Sequence, residues 1–143
     1  VILLCQPSIH KRSVMITLKA VLRANAASCI IFAAIFLLKP AAVANFLGGD
    51  TPAPDVVLLI LGAILMFNGG HLLWASFKAL PSTLLVLYFT VGDFLWVLAS
   101  LGLVTMELWV TTEPGALATT LVAALIAVFG ILQIVKLRAL GQC

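Results

Sequence analysis

Apolar residues along this chain fall into four long runs, about residues 18–38, 56–77, 83–106 and 115–135, in which polar side chains occur only singly or in small groups. The runs are continuously apolar rather than alternating, so each reads as a helix that pairs its own backbone polar groups and not as a strand of a closed barrel. About 20 apolar residues cross roughly 30 Å of hydrocarbon, and every run reaches that length. The pattern predicts an all-α fold, a four-span transmembrane helix bundle over residues 18–138, with an N-terminal tail at 1–17 and a C-terminal tail at 139–143.

Residues that start and stop helices mark the same boundaries. Lys39-Pro40 ends the first span, because proline disfavours helical geometry in the residue before it and lacks its own donor. Asp55 is placed to cap the second span and Ser82 the third, after a tight turn at Lys78 to Pro81; Thr112 and Pro114 open the fourth. The short turn predicts that spans two and three are antiparallel neighbours. The longer loop from Lys39 to Asp55 contains Ala41 to Leu47, apolar enough for a short interfacial helix that Gly48-Gly49 breaks.

Composition supports the class and excludes others. The chain is 64% hydrophobic and 9% charged, with a mean hydropathy of +1.26; soluble domains are roughly one quarter charged. Seven of the eight basic residues, Lys11, Arg12, Lys19, Arg23, Lys78, Lys136 and Arg138, fall at the two chain ends or between spans two and three. The positive-inside rule therefore predicts cytoplasmic N and C termini in a bacterial inner membrane. The net charge of +3 then meets anionic lipid of the bilayer, and no soluble basic face exists to follow nucleic acid. His10-Lys11-Arg12 follows the short run Val1 to Leu4, the reverse of signal-peptide order, so the first residues read as a cytoplasmic tail. Since the sequence opens with valine, Met15 is a candidate start.

The usual catalytic groupings are absent from the pattern. Cys5, Cys29 and Cys143 form no C-x-x-C pair and are expected as free thiols. Only His71 lies within a span, where two axial histidines would be needed for haem. No acid cluster suits a metal, and Glu107 and Glu113 lie near the outer surface, so neither an enzyme nor a cofactor is expected.

What stands out is a polar set at membrane depth: Arg23, Asn25, Asn68, His71, Asp93 and Gln133. A carboxylate near the bilayer centre costs several kcal/mol unless it is paired or hydrated, so Asp93 should face the interior and hold a partner. Arg23, with its guanidinium fork, is the first expected partner and His71 the second. Arg23 and Asn25 are two apart, so only one can point squarely at Asp93. Spans one and three run outward and two and four inward, which puts the whole set in the cytoplasmic half. One reading makes these residues interhelical glue; the other makes Asp93 and His71 a proton- or cation-responsive site or an anchor for an amphiphile. Trp74, Trp96 and Trp109 read as interface or packing residues.

Small residues, Ala24-x-x-x-Ser28, Gly62 with Gly69-Gly70, and Ala123-x-x-x-Ala127 with Gly130, predict close helix approach, and the face on span four suits a homodimer or a larger membrane partner. Aligning span two with span four at a separation of 60 residues pairs identical residues at Leu61, Ala63, Leu65, Gly70, Leu72, Ala79 and Leu80, as in a duplicated helical hairpin. Leu22-Arg23-x-Asn25-Ala26, Asp93-x-x-Trp96-Val97-x-x-Ser100 and Gln133 together resemble small, uncharacterised four-helix integral membrane proteins of bacteria, over about residues 18–140. In size and topology the chain is also similar to DoxX-like proteins and to small multidrug exporters, although such exporters carry their key acid in the first helix. The resemblance implies fold and location. The expected role is a non-enzymatic scaffold or accessory subunit, with a small transporter or amphiphile-binding bundle using Asp93 as the alternative.

Overall fold

The computed structural model describes residues 7–141, which form five helices: α1 (Pro7–Leu38), α2 (Pro40–Gly48), α3 (Asp55–Ser76), α4 (Thr83–Thr105) and α5 (Glu113–Gly141). There is no strand among the described residues. Four of the helices are long and apolar enough to cross a membrane, and the share of each apolar window buried inside the bundle is only 22–33%. The remainder, including Ile31, Leu38, Ile64, Phe67, Leu84, Leu98, Leu121 and Ile131, points outward. In water such a surface would aggregate; against acyl chains it is the expected exterior of a multi-pass membrane protein.

Local chemistry explains the element boundaries. Pro40 begins α2 directly after the break at Lys39, and α2 is capped by Gly49, whose φ of +53° suits a residue without Cβ. Asp55 and Glu113 each place an acid in a first turn, where the helix dipole favours negative charge. Ser82 caps α4 by accepting the Leu85 N–H at 3.2 Å, and Thr112 receives the Gly115 N–H at 3.0 Å at the head of α5.

Two ends run further than the sequence predicted. α1 begins at Pro7 instead of near residue 18, because no breaker lies between Ser8 and Leu18 and proline is tolerated in a first helical turn. α5 continues to Gly141, and its Leu137 and Leu140 pack against the core cluster that contains Leu18 and Leu22. Cys5 and Cys143 lie outside the described residues; Cys29 is a buried free thiol.

The helices associate as two pairs, α1 with α3 and α4 with α5, joined chiefly through α1 and α5. Glycines explain the closeness of the pairs. A Cβ on Gly69 would lie 2.8 Å from Ile30 Cγ1 and 3.2 Å from the Ala26 carbonyl, and one on Gly130 would lie 3.2 Å from Phe94. The two pairs follow the hairpin division that the 60-residue alignment suggests, but the aligned glycines differ: Gly130 is packed and Gly70 faces open space. Ala24-x-x-x-Ser28 is not packed at a helix contact within the bundle, for Ala24 is exposed and the Ser28 hydroxyl turns back to the Ala24 carbonyl at 3.1 Å. Ala123 and Gly130 are buried within the chain's own bundle.

Spans two and three are neighbours through their side chains rather than through close backbones. The backbones of α3 and α4 stay apart despite their short turn; bulky rings fill the gap, with His71 stacked edge-on to Phe89 at 5.1 Å and beside Tyr88 at 5.8 Å. At the opposite end, α2 is latched to the start of α5. Thr111 and Thr112 donate their N–H groups to the Leu47 carbonyl at 2.9 and 3.1 Å, and their hydroxyls to the carbonyls of Gly48 and Phe46 at 2.7 and 2.6 Å. Trp109, held at a positive φ of 60°, packs on the small cluster of Ala44, Ala53 and Leu58.

Candidate functional site

The polar string at the bundle centre is assembled by the rotation of α1. Its buried positions Leu18, Leu22, Asn25, Cys29 and Ala33 recur at helical spacing and form one inward stripe. Asn25 lies on that stripe and Arg23 lies off it. On α4, Thr90, Asp93 and Ser100 form a comparable buried stripe, and on α5 Ala123, Ile126, Gly130 and Gln133 do the same. Asn25 and Gln133 are 0% exposed and Asp93 is 4% exposed.

Asp93 Oδ2 accepts two hydrogen bonds, from Asn25 Nδ2 and from Gln133 Nε2, each at 2.8 Å. The carboxamide oxygens then face away and accept in turn. Asn25 Oδ1 receives the Cys29 thiol at 3.8 Å, and Cys29 Sγ receives Asn68 Nδ2 at 3.6 Å. Gln133 Oε1 receives the Thr90 hydroxyl at 3.2 Å, a hydroxyl that also lies 2.9 Å from the Val86 carbonyl. From Asn68 through Cys29 and Asn25 the donors point in sequence toward Asp93, as does the Gln133 amide, an arrangement in which successive bonds polarise one another, while the single Thr90 hydrogen is shared between Gln133 and the Val86 carbonyl. Four membrane helices contribute, so helix order and rotation are tied to one carboxyl group.

The structure corrects the expected partner. Arg23 does not reach Asp93; it is exposed, with its guanidinium 5.2 Å over the Phe77 ring and Nε 3.4 Å from Ser76 Oγ. A long cationic side chain finds a better setting near the end of α3 than in the centre of the bilayer. His71, the second expected partner, does not reach Asp93 either. Its ring sits among Phe67, Trp74, Tyr88 and Phe89, and its Nδ1 is buried without a hydrogen-bond partner among the described residues.

Of the six residues singled out by sequence, the structure thus joins Asn25, Asn68, Asp93 and Gln133 and separates Arg23 and His71. Thr90 and Cys29 complete the string, and both had a signal in the sequence: Thr90 stands three residues before Asp93, and Cys29 four after Asn25, each on its neighbour's face. Trp74 is half exposed beneath Lys78, whose Nζ lies 4.0 Å from its ring, while Trp96 packs on the core. No three His, Cys, Asp or Glu side chains converge among the described residues in a way that could hold a metal ion.

No known protein family, curated protein or solved structure matches the chain. The site itself therefore carries the functional reading.

Proposed function

We propose that the protein is a non-enzymatic scaffold or accessory subunit of a bacterial inner membrane, with both termini cytoplasmic and Asp93 as its internal fastener. The observation that carries this reading is the convergence of two fully buried amide donors on one carboxyl oxygen. Such a knot fixes the relative rotation of α1, α4 and α5, and none of its residues lines the cavity at the α3–α4 turn or the groove on α3. The distribution of basic residues supports the orientation, since α1 up to its middle at Arg23, the α3–α4 turn and the α5 end carry all of them except Lys39.

A second reading has its own observation. The unpartnered His71 Nδ1 lies beside a shallow groove on α3 formed with Met66, Phe67, Gly70 and Trp74, which suits a small proton- or cation-coupled transporter or an amphiphile-binding bundle. Proteoliposomes containing a pH-sensitive dye separate the two. The scaffold reading expects that wild type and Asp93→Asn give the same proton flux under an imposed potential. A flux that wild type supports and a folded Asp93→Asn protein lacks would refute it.

A further inference from the structure

The end of the bundle at the α3–α4 turn holds a cavity of about 630 Å³, lined by Lys11 and Arg12 of α1, Leu80 of the turn, and Leu137, Arg138 and Leu140 of α5. We propose that this cavity binds the headgroup of an anionic phospholipid, with its phosphate between Arg12 and Arg138 and its acyl chains on the leucines.

Charge is the first argument. Three cations from two separate helices meet at one opening, and among the described residues no Asp or Glu side chain lines it. The acidic side chains Asp50, Asp55, Glu107 and Glu113 belong to the α2 end and Asp93 to the centre, so among the described residues no Asp or Glu side chain offers a counter-charge here. Arg23 and Lys78, by contrast, are each seated on an aromatic ring. Like charges gathered without compensation repel one another, and a bound phosphate converts that repulsion into charge-assisted hydrogen bonds, for which arginine's fork is well shaped.

Depth and chemistry agree with a lipid. Thr83, at the cavity wall, stands ten residues before Asp93 on α4, which is about 15 Å along the helix axis or roughly half the hydrocarbon thickness. With Asp93 near the midplane, the cavity opens at headgroup level. Its leucines offer an apolar side that a free inorganic anion would not use, and basic pockets between membrane helices are known headgroup sites. The extended ends of α1 and α5 build it, for without Lys11 and Arg12 in helical form the wall would be missing.

Native mass spectrometry of the full chain released from detergent, with added phosphatidylglycerol, cardiolipin, phosphatidylcholine or inorganic phosphate, tests this. Wild type should retain the anionic lipids, and Arg12→Gln/Arg138→Gln should bind them about tenfold more weakly or worse, the loss expected from two basic contacts. Lys78→Gln/Lys136→Gln removes the same charge from the same end but leaves the cavity lining intact, and it should bind like wild type. Equal weakening in both double variants would reduce the effect to diffuse surface charge and overturn the site. Saturation by inorganic phosphate alone would make the ligand a free anion. Should the cavity variant fail to fold, competition in the other two proteins decides: parity between phosphatidylglycerol and phosphatidylcholine in wild type, or a preference that Lys78→Gln/Lys136→Gln loses, overturns the proposal, and a preference that Lys78→Gln/Lys136→Gln keeps upholds it.

Discussion

Replacing Asp93 by alanine removes the acceptor at the centre of the string and leaves Asn25 Nδ2 and Gln133 Nε2 facing each other's empty partner. Interhelical hydrogen bonds in membranes are worth about 0.6 kcal/mol on average and up to about 1.7, so losing two of them should cost about 1–3 kcal/mol. Asp93→Asn is nearly isosteric. Its carboxamide oxygen can take the place of Oδ2 and accept from both donors, so it should cost less than about 1 kcal/mol. Reversible unfolding in mixed micelles, followed by helical circular dichroism, measures both. A double-mutant cycle with Asn25→Ala should show a coupling of about 0.5–1.5 kcal/mol, because the second substitution removes a donor already deprived of its acceptor. Equal costs for alanine and asparagine, or additivity within about 0.3 kcal/mol in the cycle, would refute the idea that this carboxyl group fastens the helices.

Other expectations follow from the same geometry. Gly69→Ala should destabilise by about 1–3 kcal/mol, since its Cβ would press on Ile30 and the Ala26 carbonyl, whereas Gly70→Ala, with open space at its Cβ, should be neutral or gain up to about 1 kcal/mol from helix propensity; thermal melts in detergent compare them. Thr112→Val removes the hydroxyl that serves both Phe46 and Gly115, costing about 1 kcal/mol, and should speed amide exchange across residues 40–49. Arg23→Gln, on an exposed side chain outside the string, should change stability by less than about 0.5 kcal/mol; a loss comparable with Asp93→Ala would contradict the placement of that residue.

Much of the fold is written in the order of apolar and breaking residues. Lys39-Pro40, Ser82 and Thr112 mark helix ends through local backbone chemistry alone, which is why those positions and the short α2 could be read without tertiary information. The choice between Arg23 and Asn25 is of another kind. Electrostatics favours a guanidinium beside a carboxylate, but the face that α1 turns inward is set by its packing on α3, where Gly69 admits Ala26, Cys29 and Ile30. The stripe Leu18, Leu22, Asn25, Cys29 already held that information as periodicity. The distance between α3 and α4 had no such signal, because it depends on how Phe89, Tyr88 and His71 stack once the other contacts exist. The reach of α1 back to Pro7 was hidden by polarity, since basic residues ahead of a span read as a tail even when the helix continues through them.

The pairing of α1 with α3 and of α4 with α5 has a consequence for biogenesis. A nascent chain can dock its first two long helices while the later ones are still in the ribosome. Asp93 then enters the lipid with one amide donor already waiting on α1, and the second arrives only when α5 is translated. Until that moment the half-made protein carries an incompletely solvated acid, a defect that membrane quality control can recognise, so a chain truncated before Gln133 should be degraded faster than the finished one.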